Sequence, residues 1–150
     1  MRSIVGEIVN GANDVTVIDM EASIEHMSRG TIRHADLLLV VLEPYYRSLE
    51  AGGRIVPLAR GLGIERIYGV ANKLRSQQDE EAVRAYCRKH DIELAATIPF
   101  DENVVEADRT GRAVIDYDVT APIVQELSRV AERLAGEISA AANGGGKPHA

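Results

Sequence analysis

Asp36-Leu37-Leu38-Leu39-Val40-Val41-Leu42 is the stretch that decides the fold. Its apolar run is continuous rather than alternating, which is typical of a parallel strand that helices cover on both faces. Glu43-Pro44 follows and ends the strand. The first expectation is therefore an α/β fold of three layers, with a mainly parallel sheet between two layers of helices.

The segments on either side of this strand repeat the alternation of strands and helices. Three more strands are predicted, at 15–20, 66–71 and 93–98. Helices are predicted at 2–11, 47–62, 78–90, 102–109 and 120–141. A helix or an ordered loop is expected at 21–34, and a short apolar element at 113–115. Pro57 should kink or thin its helix because it removes a backbone donor.

The chain length and its composition indicate one domain with a short tail. The 150 residues are enough to bury a core. Residues 1–141 are expected to form this single domain. Residues 142–150 contain three glycines and a proline, and are expected to be a disordered tail.

Composition and charge exclude several classes of partner. Hydrophobic residues make up 45% and charged residues 27% of the chain, as in ordinary soluble proteins. The net charge of −6 repels phosphate backbones and anionic lipid surfaces, so neither nucleic acid nor a membrane is expected as a partner. Cys87 is the single cysteine, so no internal disulfide is possible. No signal-peptide pattern or membrane-spanning stretch is recognised, and the expected location is the cytoplasm.

Polar residues follow each predicted strand at its carboxyl end. These residues are Asp19, Glu43, Asn72 and Pro99-Phe100-Asp101. Ligands of parallel sheets bind beyond the carboxyl ends of the strands, so we expect a binding site there. Turn chemistry also favours Asp, Asn and Pro at strand ends, and it remains an alternative for each of them.

The order and spacing of several short motifs resemble a known family. The motifs are Val17-Ile18-Asp19-Met20-Glu21-Ala22 with Glu25-His26 and Arg29-Gly30, Val41-Leu42-Glu43-Pro44 with Arg47-Ser48, Gly69-Val70-Ala71-Asn72-Lys73, and Ile98-Pro99-Phe100-Asp101 through Ala107-Asp108 and Gly111. From about residue 2 to residue 135, the chain resembles the C-terminal two-thirds of a MinD/ParA-type P-loop ATPase. Within that group it is similar to the accessory ATPases that help to insert nickel into carbon monoxide dehydrogenase (CooC-type).

The resemblance implies a magnesium contact and a switch segment. Asp19 matches the strand-end aspartate that holds the water shell of Mg²⁺, a role that suits an ionised carboxylate. A helix N-cap or a loop carboxylate is the alternative for Asp19. Glu21, Ser23, Glu25 and His26 match the switch segment that senses the terminal phosphate. Ser23 stands where the family has glycine, and a solvated or locally hydrogen-bonded role is the alternative for the other three.

The resemblance also implies an adenine-nucleotide site. Asn72 matches the residue that reads the base edge, because an amide can pair with adenine through two hydrogen bonds. A guanine reader of the Asn-Lys-x-Asp kind needs an acidic residue where this chain has Arg75. Pro99, Phe100 and Asp101 match the loop that flanks the base and the ribose. Asp101 is explained equally well as a helix N-cap.

The chain departs from the family at its phosphate site. No glycine-rich loop follows a strand with Lys and Ser/Thr in place. Gly144-Gly145-Gly146-Lys147 has no strand before it and no helix after it. The paired cysteines of CooC-type proteins are also absent. ATP and Mg²⁺ are therefore implied by resemblance only, and no catalytic residue is assigned. The expectation is a partial P-loop NTPase-like domain from a truncated or split homologue, with weak or no hydrolysis of its own, so it remains open whether the chain is an enzyme.

The missing segment also bears on partners. In the resembled fold, the phosphate-loop strand lies between the strands that match 15–20 and 36–42. Open apolar strand edges favour association, so we expect a homo-oligomer or a protein that supplies the missing strand. The alternative function is a non-catalytic interaction module that docks a metalloenzyme client or a partner ATPase subunit through 21–33 and 45–54. A membrane-attached regulator is a weaker alternative, since the helix at 120–141 carries mixed charges.

Overall fold

The computed structural model describes residues 15–20 and 35–144. In chain order, its elements are β1 (Leu38–Leu42), α1 (Tyr46–Gly61), β2 (Ile67–Leu74), α2 (Gln77–Lys89), β3 (Glu93–Pro99), α3 (Glu102–Arg109), α4 (Val114–Tyr117) and α5 (Pro122–Gly144). The helix predicted at 2–11 and the segment at 21–34 lie outside the described residues. None of the described helices is long and apolar enough to cross a membrane.

The three strands form one parallel sheet in the order β1-β2-β3. Leu38 pairs with Ile67 at the start of β1, and Tyr68 pairs with Glu93 at the start of β3. Parallel neighbours require a crossover connection, and α1 and α2 supply the two crossovers. The prediction of a parallel α/β sheet is confirmed.

Helices cover both faces of this sheet. α1 and α2 pack on one face, where the core is apolar and includes Val40, Leu42, Val56, Val83 and Cys87. α5 packs on the other face over β2 and β3, where the core comprises Val70, Ala96, Ile98, Val130 and Leu134. The alternation of strand side chains between the two faces explains this division. The predicted three-layer arrangement is therefore confirmed.

Local sequence signals fix the start of two helices. Ser76 caps α2, because its side chain accepts a hydrogen bond from the backbone N–H of Asp79 at 3.1 Å. Asp101 caps α3 through the backbone N–H of Asn103 at 2.9 Å. α1 is helical on both sides of Pro57, so the proline does not end it.

The strand predicted at 15–20 is wrong. These residues have no regular secondary structure, and the Val17 side chain is 88% exposed. A strand needs a neighbour that pairs its backbone N–H and C=O groups, and in the part of the chain that the structure describes β1, β2 and β3 pair only with one another. Met20 alone among these six residues packs against the core.

Two element ends also differ from the prediction. β2 runs to Leu74, so Asn72 and Lys73 belong to the strand rather than to a turn after it. α5 ends at Gly144, so residues 142–144 of the predicted tail are helical. The remainder of that tail, 145–150, lies outside the described residues.

Candidate functional site

The carboxyl edge of the sheet brings together most of the strand-end residues that the sequence singles out. Because the strands are parallel, β1, β2 and β3 all end at this edge. Leu74 pairs with Pro99, and the N–H of Phe100 donates to the carbonyl of Leu74 at 2.8 Å. Asn72 therefore lies at the same edge as Pro99 and Phe100. The register between β2 and β3 sets the relative positions of the three residues.

Asn72 sits at an irregularity of β2. The register with β3 shifts between Ala71 and Leu74, and Lys73 has a φ of 58°. This left-handed conformation costs a residue other than glycine about 1–2 kcal/mol. The side-chain carbonyl of Asn72 accepts a hydrogen bond from the backbone N–H of Lys73 at 2.9 Å. The bulge thus fixes the orientation of the amide, with its NH₂ group left to donate elsewhere.

An ion pair closes the edge between β1 and β2. The Lys73 ammonium lies 2.5 Å from a carboxylate oxygen of Glu43. The backbone N–H of Glu43 donates to Ser48 Oγ at 2.9 Å, which holds the turn into α1. The positive charge of Lys73 is therefore neutralised by a neighbour in this arrangement. Sequence reasoning placed both residues at strand ends but did not predict their pairing.

Arg75 and Phe100 form a stacked pair at the same edge. The Arg75 Cζ atom lies 3.6 Å from the centroid of the Phe100 ring, which is the geometry of a cation–π interaction. The backbone N–H of Arg75 donates to Asp79 Oδ2 at 2.8 Å. Sequence reasoning considered Arg75 only as the position where a guanine reader would need an acidic residue.

Asp101 uses both carboxylate oxygens within the fold. Oδ1 accepts from the N–H of Asn103 and caps α3, while Oδ2 lies 3.5 Å from the N–H of Ile123 near the start of α5. The N-cap interpretation of Asp101 is confirmed. A contact of Asp101 or Pro99 with a ribose stays a prediction.

Of the residues predicted to contact magnesium or to form the switch segment, the structure describes only Asp19. Asp19 is exposed within 15–20, and Glu21, Ser23, Glu25 and His26 fall outside the described residues. Across 15–20 and 35–144, no group of three or more His, Cys, Asp or Glu side chains is placed so that it could hold a metal ion. A single exposed carboxylate fits an outer contact with the water shell of Mg²⁺, but it does not hold the ion unless phosphate oxygens do so as well.

The opposite, amino edge of the sheet carries a shallow groove of about 490 Å³. Its charged lining residues are Arg60, Glu65, Arg66, Arg88, Asp91 and Glu93, three of each sign. Cys87 also borders the groove, and burial raises the pKa of its thiol. The balanced charges favour neither an anion nor a cation, and the reactive thiolate is disfavoured. We therefore place the candidate site at the carboxyl edge.

Comparisons with known proteins show what the chain is similar to. No family model matches the chain. The carbon monoxide dehydrogenase accessory protein CooC of Rhodospirillum rubrum is 40% identical over 116 residues, which are 77% of this chain and 43% of that protein. An uncharacterized ATP-binding protein of Methanocaldococcus jannaschii is 32% identical over 115 residues, 76% of this chain and 44% of that protein. The chain is homologous to part of the CooC- and MinD-like ATP-binding proteins.

Solved structures show the same fold for this CooC- and MinD-like chain. A chain of the MinC:MinD cell division protein complex of Aquifex aeolicus superposes with a TM-score of 0.75 at 23% identity, covering 89% of this chain and 57% of that one. The MinD cell division protein of the same organism gives a TM-score of 0.61 at 21% identity, covering 71% and 46%. The resemblance stated from the sequence motifs is confirmed. The chain spans less than half the length of the two curated relatives described above.

Proposed function

We propose that this chain forms the base-binding part of an adenine-nucleotide site in a maturation or regulatory protein of the CooC and MinD kind. Its 150 residues alone would bind the nucleotide weakly and would not hydrolyse it. The observation that carries the proposal is the 40% identity to CooC together with the convergence of Asn72, Pro99 and Phe100 at the carboxyl edge. ATP and Mg²⁺ are the proposed ligands, and the cytoplasm is the proposed location.

The proposal of weak binding rests on the charges available to phosphates. The sequence of 150 residues contains no glycine-rich loop that leads into a helix with Lys and Ser/Thr in place. Lys73 lies at the right edge, but Glu43 neutralises it at 2.5 Å. Phosphoryl transfer is catalysed almost entirely by positioning and by charge stabilisation. A phosphate-binding loop from outside these residues would therefore be needed for hydrolysis.

The test of the base site is the change of Asn72 to Asp. This change keeps the acceptor that holds the Lys73 N–H and replaces the NH₂ donor by a second acceptor. We expect adenosine to bind the unchanged chain in a calorimetric titration and the Asn72→Asp variant to lose about 1–3 kcal/mol of binding free energy.

The control variant is Gln78→Glu, which makes the same amide-to-carboxylate change at an exposed position of α2. It should bind adenosine as the unchanged chain does. If neither adenosine nor Mg-ATP binds the unchanged chain, the proposed nucleotide site is wrong. Equal binding by the Asn72→Asp variant would remove Asn72 from the site.

A second candidate function is a non-catalytic module that docks a partner. The alternation in β1 that buries Val40 and Leu42 turns Leu39 and Val41 to the other face, where they are 38% and 57% exposed. Tyr46, just beyond β1, is 78% exposed. Within 15–20 and 35–144, β1 pairs on one side only. The partner would be a second copy, a protein that supplies a strand beside β1, or a metalloenzyme client of the carbon monoxide dehydrogenase type.

The docking candidate is tested by Val41→Lys, which places a charge on this exposed face. Sedimentation velocity of the unchanged chain should show a self-association that Val41→Lys abolishes, or else purified carbon monoxide dehydrogenase should bind the unchanged chain and not the variant. Val119→Lys is the control, since Val119 is 67% exposed elsewhere in the chain. A monomer that binds neither partner, or equal behaviour of both variants, would contradict the docking function.

A further inference from the structure

We propose that Arg75, held on the ring of Phe100, is the stacking surface for the nucleobase and that this position disfavours guanine. The inference rests on the proposed function, because it adds a residue to the same site. It assigns to Arg75 a binding role that the family motifs do not carry.

Strand register builds the stack. Leu74 and Pro99 are the last paired positions of β2 and β3, and the N–H of Phe100 donates to the carbonyl of Leu74 at 2.8 Å. The next residue of each strand leaves the sheet at the same place, so Arg75 and Phe100 emerge side by side. The guanidinium Cζ then lies 3.6 Å from the ring centroid.

Backbone hydrogen bonds fix the positions of both Arg75 and Phe100. Asp79 accepts a hydrogen bond from the backbone N–H of Arg75 at 2.8 Å, and Ser76 caps α2 directly after it. Phe100 is half-buried, whereas Arg75 is exposed. Among the described residues, the Arg75 guanidinium makes no hydrogen bond and no ion pair. The ring therefore covers one side of the guanidinium, and because Arg75 is exposed, we infer that a flat ligand can reach the other side.

A purine base matches this surface. Guanidinium groups stack on flat π-systems, and stacking binds bases through a face that every base presents. Asn72 lies at the same edge, and its amide is oriented by Lys73. The base would then rest on Arg75 while its edge meets Asn72, so that one residue supplies the contact area and the other reads the base.

The same position explains a preference between purines. The N1–H and N2 amine of guanine need an acceptor, which the Asn-Lys-x-Asp pattern supplies with a carboxylate. Arg75 offers five donors and no acceptor. Guanine would gain the stacking contact but would leave its two donors without a partner at this position, whereas the N6 amine of adenine can donate to the Asn72 carbonyl.

The test compares adenosine and guanosine binding to the full 150-residue chain and to Arg75→Lys, by NMR titration. Lysine keeps the charge and removes the flat surface, so adenosine should bind at least about fivefold more weakly. Arg84→Lys is the matched control, because Arg84 is paired with Glu80 on the exposed side of α2. It should leave binding unchanged. In the unchanged chain, the Arg75 Nε–H resonance should move upfield as adenosine covers the guanidinium face.

The outcomes separate this inference from the proposed function. If adenosine binding is lost in Asn72→Asp but unaltered in Arg75→Lys, the nucleotide site stands and the stacking role is wrong. If the unchanged chain binds no adenosine, both are wrong. Guanosine binding as tight as adenosine binding would overturn the purine preference.

Discussion

α1 approaches β1 so closely at Gly52 that Leu42 leaves little room for a side chain there. A Cβ atom on Gly52 would lie 2.4 Å from Leu42 Cδ2, whereas the Cγ1 of Val40 is 3.4 Å away. Ordinary carbon contacts are about 3.5–4.0 Å, so the Leu42 methyl would have to move by about 1 Å. Leu42 is fully buried.

The magnitude follows from two opposing effects of Gly52→Ala. Overpacking of a buried site costs about 1–3 kcal/mol. Alanine is favoured over glycine in a helix by about 1 kcal/mol. The net result should be a loss of stability of up to about 2 kcal/mol in the natural background. In a Leu42→Val background the clashing Cδ2 is absent, so Gly52→Ala should stabilise the chain by up to about 1 kcal/mol.

A double-mutant cycle measured by urea unfolding tests this reasoning. The coupling free energy between the two positions should be about 1–3 kcal/mol. Gly136→Ala in α5 is the control, because its added Cβ meets no atom within 4 Å beyond the adjacent residues and the backbone of its own helix. It should stabilise the chain equally in both backgrounds. If Gly52→Ala changes stability by the same amount and sign with Leu42 and with Val at that position, the packing argument is refuted.

Two further predictions concern the attachment of α5 and α2. The Tyr68 hydroxyl donates a hydrogen bond to Glu137 at 2.7 Å, and this bond together with Arg133 lowers the pKa of the Glu137 carboxyl. The ionised Glu137 should therefore stabilise the fold above its unfolded pKa near 4.5, and this stabilisation should be lost as the pH falls through the lower folded pKa. The melting temperature of Tyr68→Phe should accordingly lie below that of the unchanged chain at pH 7, and the gap should close towards pH 3; a gap that stays constant, or an equal effect of Tyr45→Phe, would contradict this. Ser76→Ala removes the cap of α2 and should cost about 1 kcal/mol in urea unfolding, whereas Ser76→Asp should cost less than half of that; equal losses would show that the cap is unimportant.

Several elements of the fold can be predicted from short segments of the sequence. The continuous apolar run at 36–42 predicts a strand, and β1 is that strand. The run also predicts burial on both faces, and this is wrong: Val40 and Leu42 are buried, but Leu39 and Val41 are exposed on the other face, where α5 packs over β2 and β3. The Asp101 cap predicts where α3 begins, because a cap acts within three residues of its own position. Ser76 is a signal of the same kind at the start of α2, which sequence reasoning did not use. These signals need no knowledge of distant parts of the chain.

The features that sequence reasoning missed depend on distant neighbours. Residues 15–20 have the composition of a strand, but pairing requires a partner edge, and composition does not provide one. The bulge gives Lys73 a left-handed φ, which lysine rarely adopts, so no local sequence pattern predicts the bulge. The Arg75–Phe100 stack arises from the register of β2 and β3, which the sequence alone does not fix.

We propose that this chain binds the base of a nucleotide but has no phosphate site of its own, and the ratio of its affinities for adenosine and Mg-ATP tests this most directly. Calorimetric titration of the 150-residue chain with adenosine and with Mg-ATP gives that ratio under one set of conditions. Since the 150-residue sequence carries no glycine-rich loop with Lys and Ser/Thr in place and has a net charge of −6, we predict dissociation constants within about threefold of each other. Binding of Mg-ATP about a hundredfold tighter than that of adenosine would contradict the account.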